Sequence, residues 1–145
     1  MPLTVKLITL WRAEVENRPG ALAQTLAPFA AARTDLQVIM GYRYPSTGGK
    51  AAIEVYPITG KKLAAAATAT GLSASTIPAL LVQGDNQPAL GHTIAQALSA
   101  AGINIGFLMA QVLGRRYSAV LGFETRDDAK KSARIIKQVT TRKAR

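Results

Sequence analysis

Asn17-Arg18-Pro19-Gly20-Ala21-Leu22 and, sixty-nine residues on, Asn86-Gln87-Pro88-Ala89-Leu90-Gly91 are two versions of one turn. The match extends outward from both. Asn17, Pro19, Ala31, Ala32 and Met40 recur in order as Asn86, Pro88, Ala100, Ala101 and Met109. Each turn follows a strand-like run, Val5 to Leu10 and then Leu80 to Val82. Each precedes an alanine-rich helical stretch and an apolar strand, Leu36 to Met40 and then Ile103 to Met109. Two copies of a unit of about seventy residues consume the 145 residues, so the chain reads as a tandem of one small module. The expected division is 1–76 and 77–145. A functional site is then expected where copies meet.

Within the first copy, Thr4 to Val15 reads as one strand, rich in β-branched residues on alternating sides. Asn17 is a good helix N-cap, and Pro19 falls in a first turn, where its missing N–H is no loss. A helix is expected to about Ala32, with Leu22, Leu26, Phe29 and Ala30 facing inward, kinked or ended early by Pro28. Leu36 to Tyr44 and Ala51 to Tyr56 read as strands joined by the hairpin loop Pro45-Ser46-Thr47-Gly48-Gly49. Lys61 to Thr70 is a second helix stopped by Gly71, and Leu72 to Ile77 is a closing strand.

The second copy gives a helix over Pro88 to Ala101, with Ile94, Ala97, Leu98 and Ala101 on one face and Gly102 as its stop. A hairpin of Ile103 to Leu113 and Tyr117 to Phe123 turns at Gly114-Arg115-Arg116. Thr125-Arg126-Asp127-Asp128 then opens a capped, acid-first helix. Little chain remains after Lys137, so the second closing strand is expected to be short or missing. The fold class expected is α+β: two ferredoxin-like βαββαβ modules, each an antiparallel sheet with its helices on one face.

Composition removes several function classes. Cysteine is absent, which excludes disulfides, thiolate metal sites and cysteine nucleophiles. The eight acids are scattered and there is one histidine, His92, so no metal site, catalytic constellation or cofactor is expected. No apolar run approaches the roughly 20 residues of a membrane span. The start, Met1-Pro2-Leu3-Thr4-Val5-Lys6, lacks the layout of a secretory signal. A cytoplasmic setting and no membrane partner are therefore expected.

The net charge of +10 is uneven. No lysine or arginine lies between Lys62 and Arg115, whereas Arg115 to Arg145 holds ten bases against three acids. A basic tail of this kind attracts nucleic acid or anionic surfaces, and equally serves as a solvated helix face, the reading preferred here. Tyr42, Tyr44, Tyr56, Tyr117 and Phe123, spaced on predicted strands, are read as packing residues rather than a base-stacking platform. Met40 and Met109 are read as core filling, His92 as a surface or interface residue, and Trp11 as lying at an interface or core edge.

Asn17-Arg18-Pro19-Gly20-Ala21-Leu22 resembles the D/N-x-P-G-x-L turn that opens the first helix of ACT domains. Asp85-Asn86-Gln87-Pro88-Ala89-Leu90 is a weakened version, followed by a good match in Ala100-Ala101-Gly102-Ile103-Asn104-Ile105. The resemblance covers nearly the whole chain and implies a tandem of amino-acid-sensing regulatory modules. It departs from the family at Ala89, where glycine is usual, and at Gly91, where leucine is usual.

What the resemblance implies is a stand-alone regulatory protein that binds a small amino acid or related carboxylate between modules. The site residues it points to are Asn17, Pro19, Gly20, Ala21 and Leu22, with Asp85, Asn86, Pro88, Ala89 and Leu90. Physical chemistry supports them separately. A helix N-terminus suits a carboxylate, Gly20 lets a ligand approach the backbone, and asparagine amides both donate and accept. The expected assembly is a homodimer or other homo-oligomer, acting on a regulated protein in trans. Two alternatives remain: a basic ferredoxin-like module binding nucleic acid, and a structural partner module with a vestigial turn.

Overall fold

The stretch expected to form one strand, Thr4 to Val15, forms two, and they enter different sheets. In a computed structural model describing residues 3–45 and 48–143, β1 (Thr4–Ile8) and β2 (Trp11–Glu16) are separated only by Thr9 and Leu10. The chain continues through α1 (Ala21–Ala31), β3 (Val38–Arg43), β4 (Lys50–Tyr56), α2 (Lys61–Ala69) and β5 (Ser73–Ala74). It then forms β6 (Ala79–Asp85), α3 (Leu90–Ala100), β7 (Phe107–Leu113), β8 (Arg116–Gly122) and α4 (Arg126–Lys143). Ser46 and Thr47 of the first hairpin loop, and the termini Met1-Pro2 and Ala144-Arg145, lie outside the described residues.

Two compact units result. One is Thr9–Thr76; the other joins β1 to the chain from Ile77 onward. The first holds a four-stranded sheet of order β3-β4-β2-β5, the second a sheet of order β1-β6-β8-β7, and every pairing is antiparallel. Both are the ferredoxin-like βαββαβ arrangement. The first copy closes its own sheet with β5, a two-residue strand pairing Ala74 with Trp11 and Ser73 with Arg12. The second is closed from the other end of the chain. Thr4 to Ile8 pairs with Gln83 to Ala79, and Thr4 Oγ1 donates to the Gln83 carbonyl at 3.1 Å. The residues after Thr125 form the 18-residue α4, so no closing strand follows it among the described residues.

Each unit has its own core on the helix side of its sheet. Ala13, Phe29, Ile53, Val55, Ala67 and Leu72 fill the first, with Trp11 against its edge. The second gathers Leu80, Val82, Ile94, Leu98, Leu121, Phe123 and Ile136, joined by Leu3 and Tyr117. Helix α1 is rotated relative to expectation: it buries Ala21, Thr25 and Phe29, while Leu22 is 45% exposed and Ala30 is exposed. An i, i+4, i+8 row led by the large Phe29 sets the inward face. Thr25 tolerates that burial because its hydroxyl donates to the Ala21 carbonyl at 3.0 Å.

Pro28 does not end the helix, which runs on to Ala31. The carbonyl deprived of a donor belongs to Gln24, an exposed residue. In α3 the buried row is Leu90, Thr93, Ile94 and Leu98, whereas Ala101 is exposed. Met40 is half-buried and Met109 is 37% exposed, so neither fills a core. Tyr117 and Phe123 are buried, as expected of packing residues, and Tyr42 is 44% exposed.

Both first helices stop the same way. Thr34 N–H donates to the Phe29 carbonyl (2.9 Å), and Ile103 N–H donates to the Leu98 carbonyl (3.0 Å). This six-to-one closure needs a left-handed residue just before it. Gly102 supplies it in the second copy with φ 74°, and Arg33 in the first with φ 54°.

Candidate functional site

The turn that opens each copy is built by its proline and the residue after it. Proline presets the first central position of a type II turn, and the second must take positive φ. Gly20 does so at φ 89°, ψ −14°, and Ala21 N–H donates back to the Arg18 carbonyl at 3.3 Å. In the second copy Ala89 takes φ 63°, ψ 18°, and Leu90 N–H donates to the Gln87 carbonyl at 3.3 Å.

The helix caps are therefore Gly20 and Ala89, neither with a side-chain bond, and not Asn17 as expected for the first copy. The Pro-Gly geometry delays the helix past reach of the asparagines. Both asparagines instead pin the turn to the neighbouring hairpin. Asn17 N–H donates to the Gly49 carbonyl (2.6 Å), and Asn86 N–H to the Arg115 carbonyl (2.8 Å). Both side chains are exposed.

This geometry divides the anticipated donors. Pro19 and Pro88 have no N–H, and the amides of Ala21 and Leu90 are used to close the turns. The open donors at the start of α1 are the amides of Leu22 and Ala23, by ordinary helix geometry, because Gln24 N–H already donates to the Gly20 carbonyl at 2.9 Å. The Asp85 carboxylate accepts from Arg116 Nη1 at 2.9 Å across β6 and β8.

The first copy has the counterpart pair. Lys50 Nζ donates to Glu16 at 2.7 Å, which holds the Glu16 carboxyl below its ordinary range and raises Lys50. Both pairs are exposed and solvent-screened, so they fix register more than stability.

Two grooves flank the first turn, and Glu16, Arg18 and Ala21 border both. One, of about 320 Å³, runs between the start of α1 and the sheet, under Asn17, Leu22, Arg43, Ala51 and Ile53. The other, of about 430 Å³, is bounded by Gln24 and Thr25 on one side and Ala69 and Thr70 on the other. Arg18 folds over the helix start, its Nη2 bonded to Gln24 Oε1 (2.5 Å) and its Nη1 to the Pro19 carbonyl (3.2 Å). Two guanidinium groups and a helix N-terminus thus border a volume suited to a small anion or zwitterion.

In the second copy, an open depression of about 400 Å³ lies at the far end of α3, by Ser99, Gly102 and Asn104. His92 is exposed on the first turn of α3. No cluster of metal-ligating side chains occurs among the described residues.

Comparison with solved structures fits this architecture. A protein from Bacteroides thetaiotaomicron superposes with TM-score 0.71 at 14% identity, over 90% of this chain and 88% of that one. The ligand-free regulatory subunit of aspartate kinase from Thermus thermophilus matches with TM-score 0.63 at 17% identity, over 96% and 97% of the two chains. The chain folds as a tandem of ACT-like modules.

The aspartate kinase of Clostridium acetobutylicum matches with TM-score 0.55 at 14% identity, over 95% of this chain and 34% of that one. No family model and no curated protein matches the sequence. Neither the asparagine contacts nor the Tyr117 position described below was visible in the repeat alone, because both depend on cross-strand register.

Proposed function

We propose that this chain is a regulatory protein rather than an enzyme, and that it binds a small amino acid or related carboxylate at the turn that opens the first helix of an ACT-like module. The observation that carries the reading is the groove under the first turn, with Arg18, Arg43 and the start of α1 along its border. Leu22, displaced from the core and 45% exposed, supplies an apolar wall beside these charges. The ligand set proposed is Asn17, Pro19, Gly20, Ala21 and Leu22 at the first turn; Asp85, Asn86, Pro88, Ala89 and Leu90 are the positions that answer to it in the second copy.

Binding would bias one association state over another, and so act on a partner in trans. A homodimer is the proposed assembly. It is supported by the exposed apolar side chains of edge strand β7: Leu108, Met109, Val112 and Leu113. The proposed setting is the cytoplasm; no described helix is long and apolar enough to cross a membrane.

A thermal-shift screen against the twenty amino acids at millimolar concentration tests the reading. A ligand at a hundred times its dissociation constant adds about 2.7 kcal/mol, which moves the melting point by several degrees. One or two clear hits support it. A flat screen on well-folded protein refutes it for free amino acids.

A further inference from the structure

The two copies share one strand register around the turn, so their differences are interpretable. Val15 pairs with Ala51, which pairs with Arg43; the counterparts are Gly84, Tyr117 and Val112, in the same register. Four substitutions bear on the volume and charge of the two sites. Ala51, a small side chain on the groove floor, becomes Tyr117. Leu22, on the groove wall, becomes Gly91. Arg43, at the rim, becomes Val112, while Arg18 in the turn becomes Gln87.

The second set is mutually consistent. Tyr117 is only 5% exposed, and its hydroxyl lies 4.0 Å from where a first side-chain carbon on Gly91 would stand. The hydroxyl is buried with no hydrogen-bond partner among the described residues. Burial also raises the phenol above its ordinary pKa. At Gly84, an added side-chain carbon would lie 2.6 Å from Leu3 Cδ2 and 3.1 Å from Leu3 Cα, so the segment entering β1 occupies that space. A tyrosine buried without a partner is explained by shape rather than by polarity.

We infer that the chain carries one ligand site, at the first turn, and that Tyr117 together with Leu3 has filled its counterpart in the second copy. This inference rests on the reading of an amino-acid site and adds to it the number and place of sites. The lost guanidiniums agree with the lost volume: a plugged site has no use for groups that hold a carboxylate. The second turn keeps the backbone of a ligand turn, including its strained Ala89, and serves to start α3.

The test follows backbone amide shifts by nuclear magnetic resonance while each of the twenty amino acids is added at millimolar concentration. The expected result is shifts at Gly20 to Ala23 and none at Ala89 to Gly91. Tyr117→Phe is expected to leave this pattern unchanged. Tyr117→Ala combined with Gln87→Arg and Val112→Arg, which restores both the volume and the two guanidiniums, is expected to bring Ala89 to Gly91 into the response and to raise the stoichiometry from one to two.

Should that variant fail to fold, the reverse transplant decides: Leu22→Gly with Ala51→Tyr is expected to abolish the first-turn shifts with a dispersed spectrum retained. Shifts at both turns of the unaltered protein, or a transplant that still binds, overturn the single-site inference and leave the amino-acid reading standing. No shift at either turn overturns both.

Discussion

Replacing Ala89 with glycine should stabilise this protein. Ala89 holds φ 63°, a left-handed conformation that costs an L-residue about 1–2 kcal/mol relative to its ordinary backbone. Glycine removes that strain and gives back about 0.5–1 kcal/mol through the greater freedom of the unfolded chain. The difference is a gain of about 0.5–1 kcal/mol. The repeat supplies its own controls, because each copy has glycine at one of the two left-handed positions and an ordinary residue at the other. Gly20 answers to Ala89, and Arg33 answers to Gly102.

Arg33→Gly should therefore stabilise as Ala89→Gly does, and Gly20→Ala and Gly102→Ala should destabilise by about the same amount. Packing does not confound the last two. A side-chain carbon at Gly102 meets nothing within 4 Å, and one at Gly20 meets only the end of Arg18, at 3.8 Å. Urea midpoints at constant m-value measure the four shifts, and a change of about 1 kcal/mol moves the melting point by about 2–4 °C at this size. A lower midpoint for Ala89→Gly, with m unchanged, refutes the argument that strain dominates at this turn.

The remaining predictions concern polar groups. Tyr42 donates to the buried Glu54 carboxylate at 3.1 Å, so Tyr42→Phe should destabilise by about 1–2 kcal/mol, read by urea melts. Burial, and then the charge on Glu54, raises the Tyr42 phenol above its ordinary value, and burial raises Tyr117 likewise. The neutral phenol is the form favoured by folding. Stability is therefore intact below the unfolded value of about 10 and falls as pH rises through the folded values. Melting temperatures across alkaline pH check this, and Tyr42→Phe should remove part of the slope. Thr125 Oγ1 accepts from Asp128 N–H at 3.0 Å as the cap of α4, so Thr125→Ala should cost about 1 kcal/mol, measurable by the same melts.

Much of the fold was legible because the chain states it twice. Alternating strands, the Pro-Gly turn, Gly71 and Gly102 as stops and the Thr125 start each act through neighbours a few residues away, and each appears in the structure. The turn itself was recognised, but its capping was misread. Asn17 is a good cap by type, yet Pro19 and Gly20 demand a type II turn first, and that backbone preference outweighs one side-chain bond. The inward face of α1 was misread as well, since apolar type alone cannot tell Leu22 from Ala21 when both sit near a groove.

The sequence by itself determined the repeat, the alternation of strands and helices from Trp11 onward and the turn on which the candidate site is built. These follow from local backbone preference and from the period of apolar residues. Only tertiary structure decided that Thr4 to Ile8 closes the sheet of the other copy, because a strand's partner is a matter of free edges far along the chain. Register across the strands likewise placed Ala51 under one turn and Tyr117 under the other. That pairing turns two similar motifs into one open groove and one filled core, because volume and charge at a site are summed over strands that the sequence keeps apart.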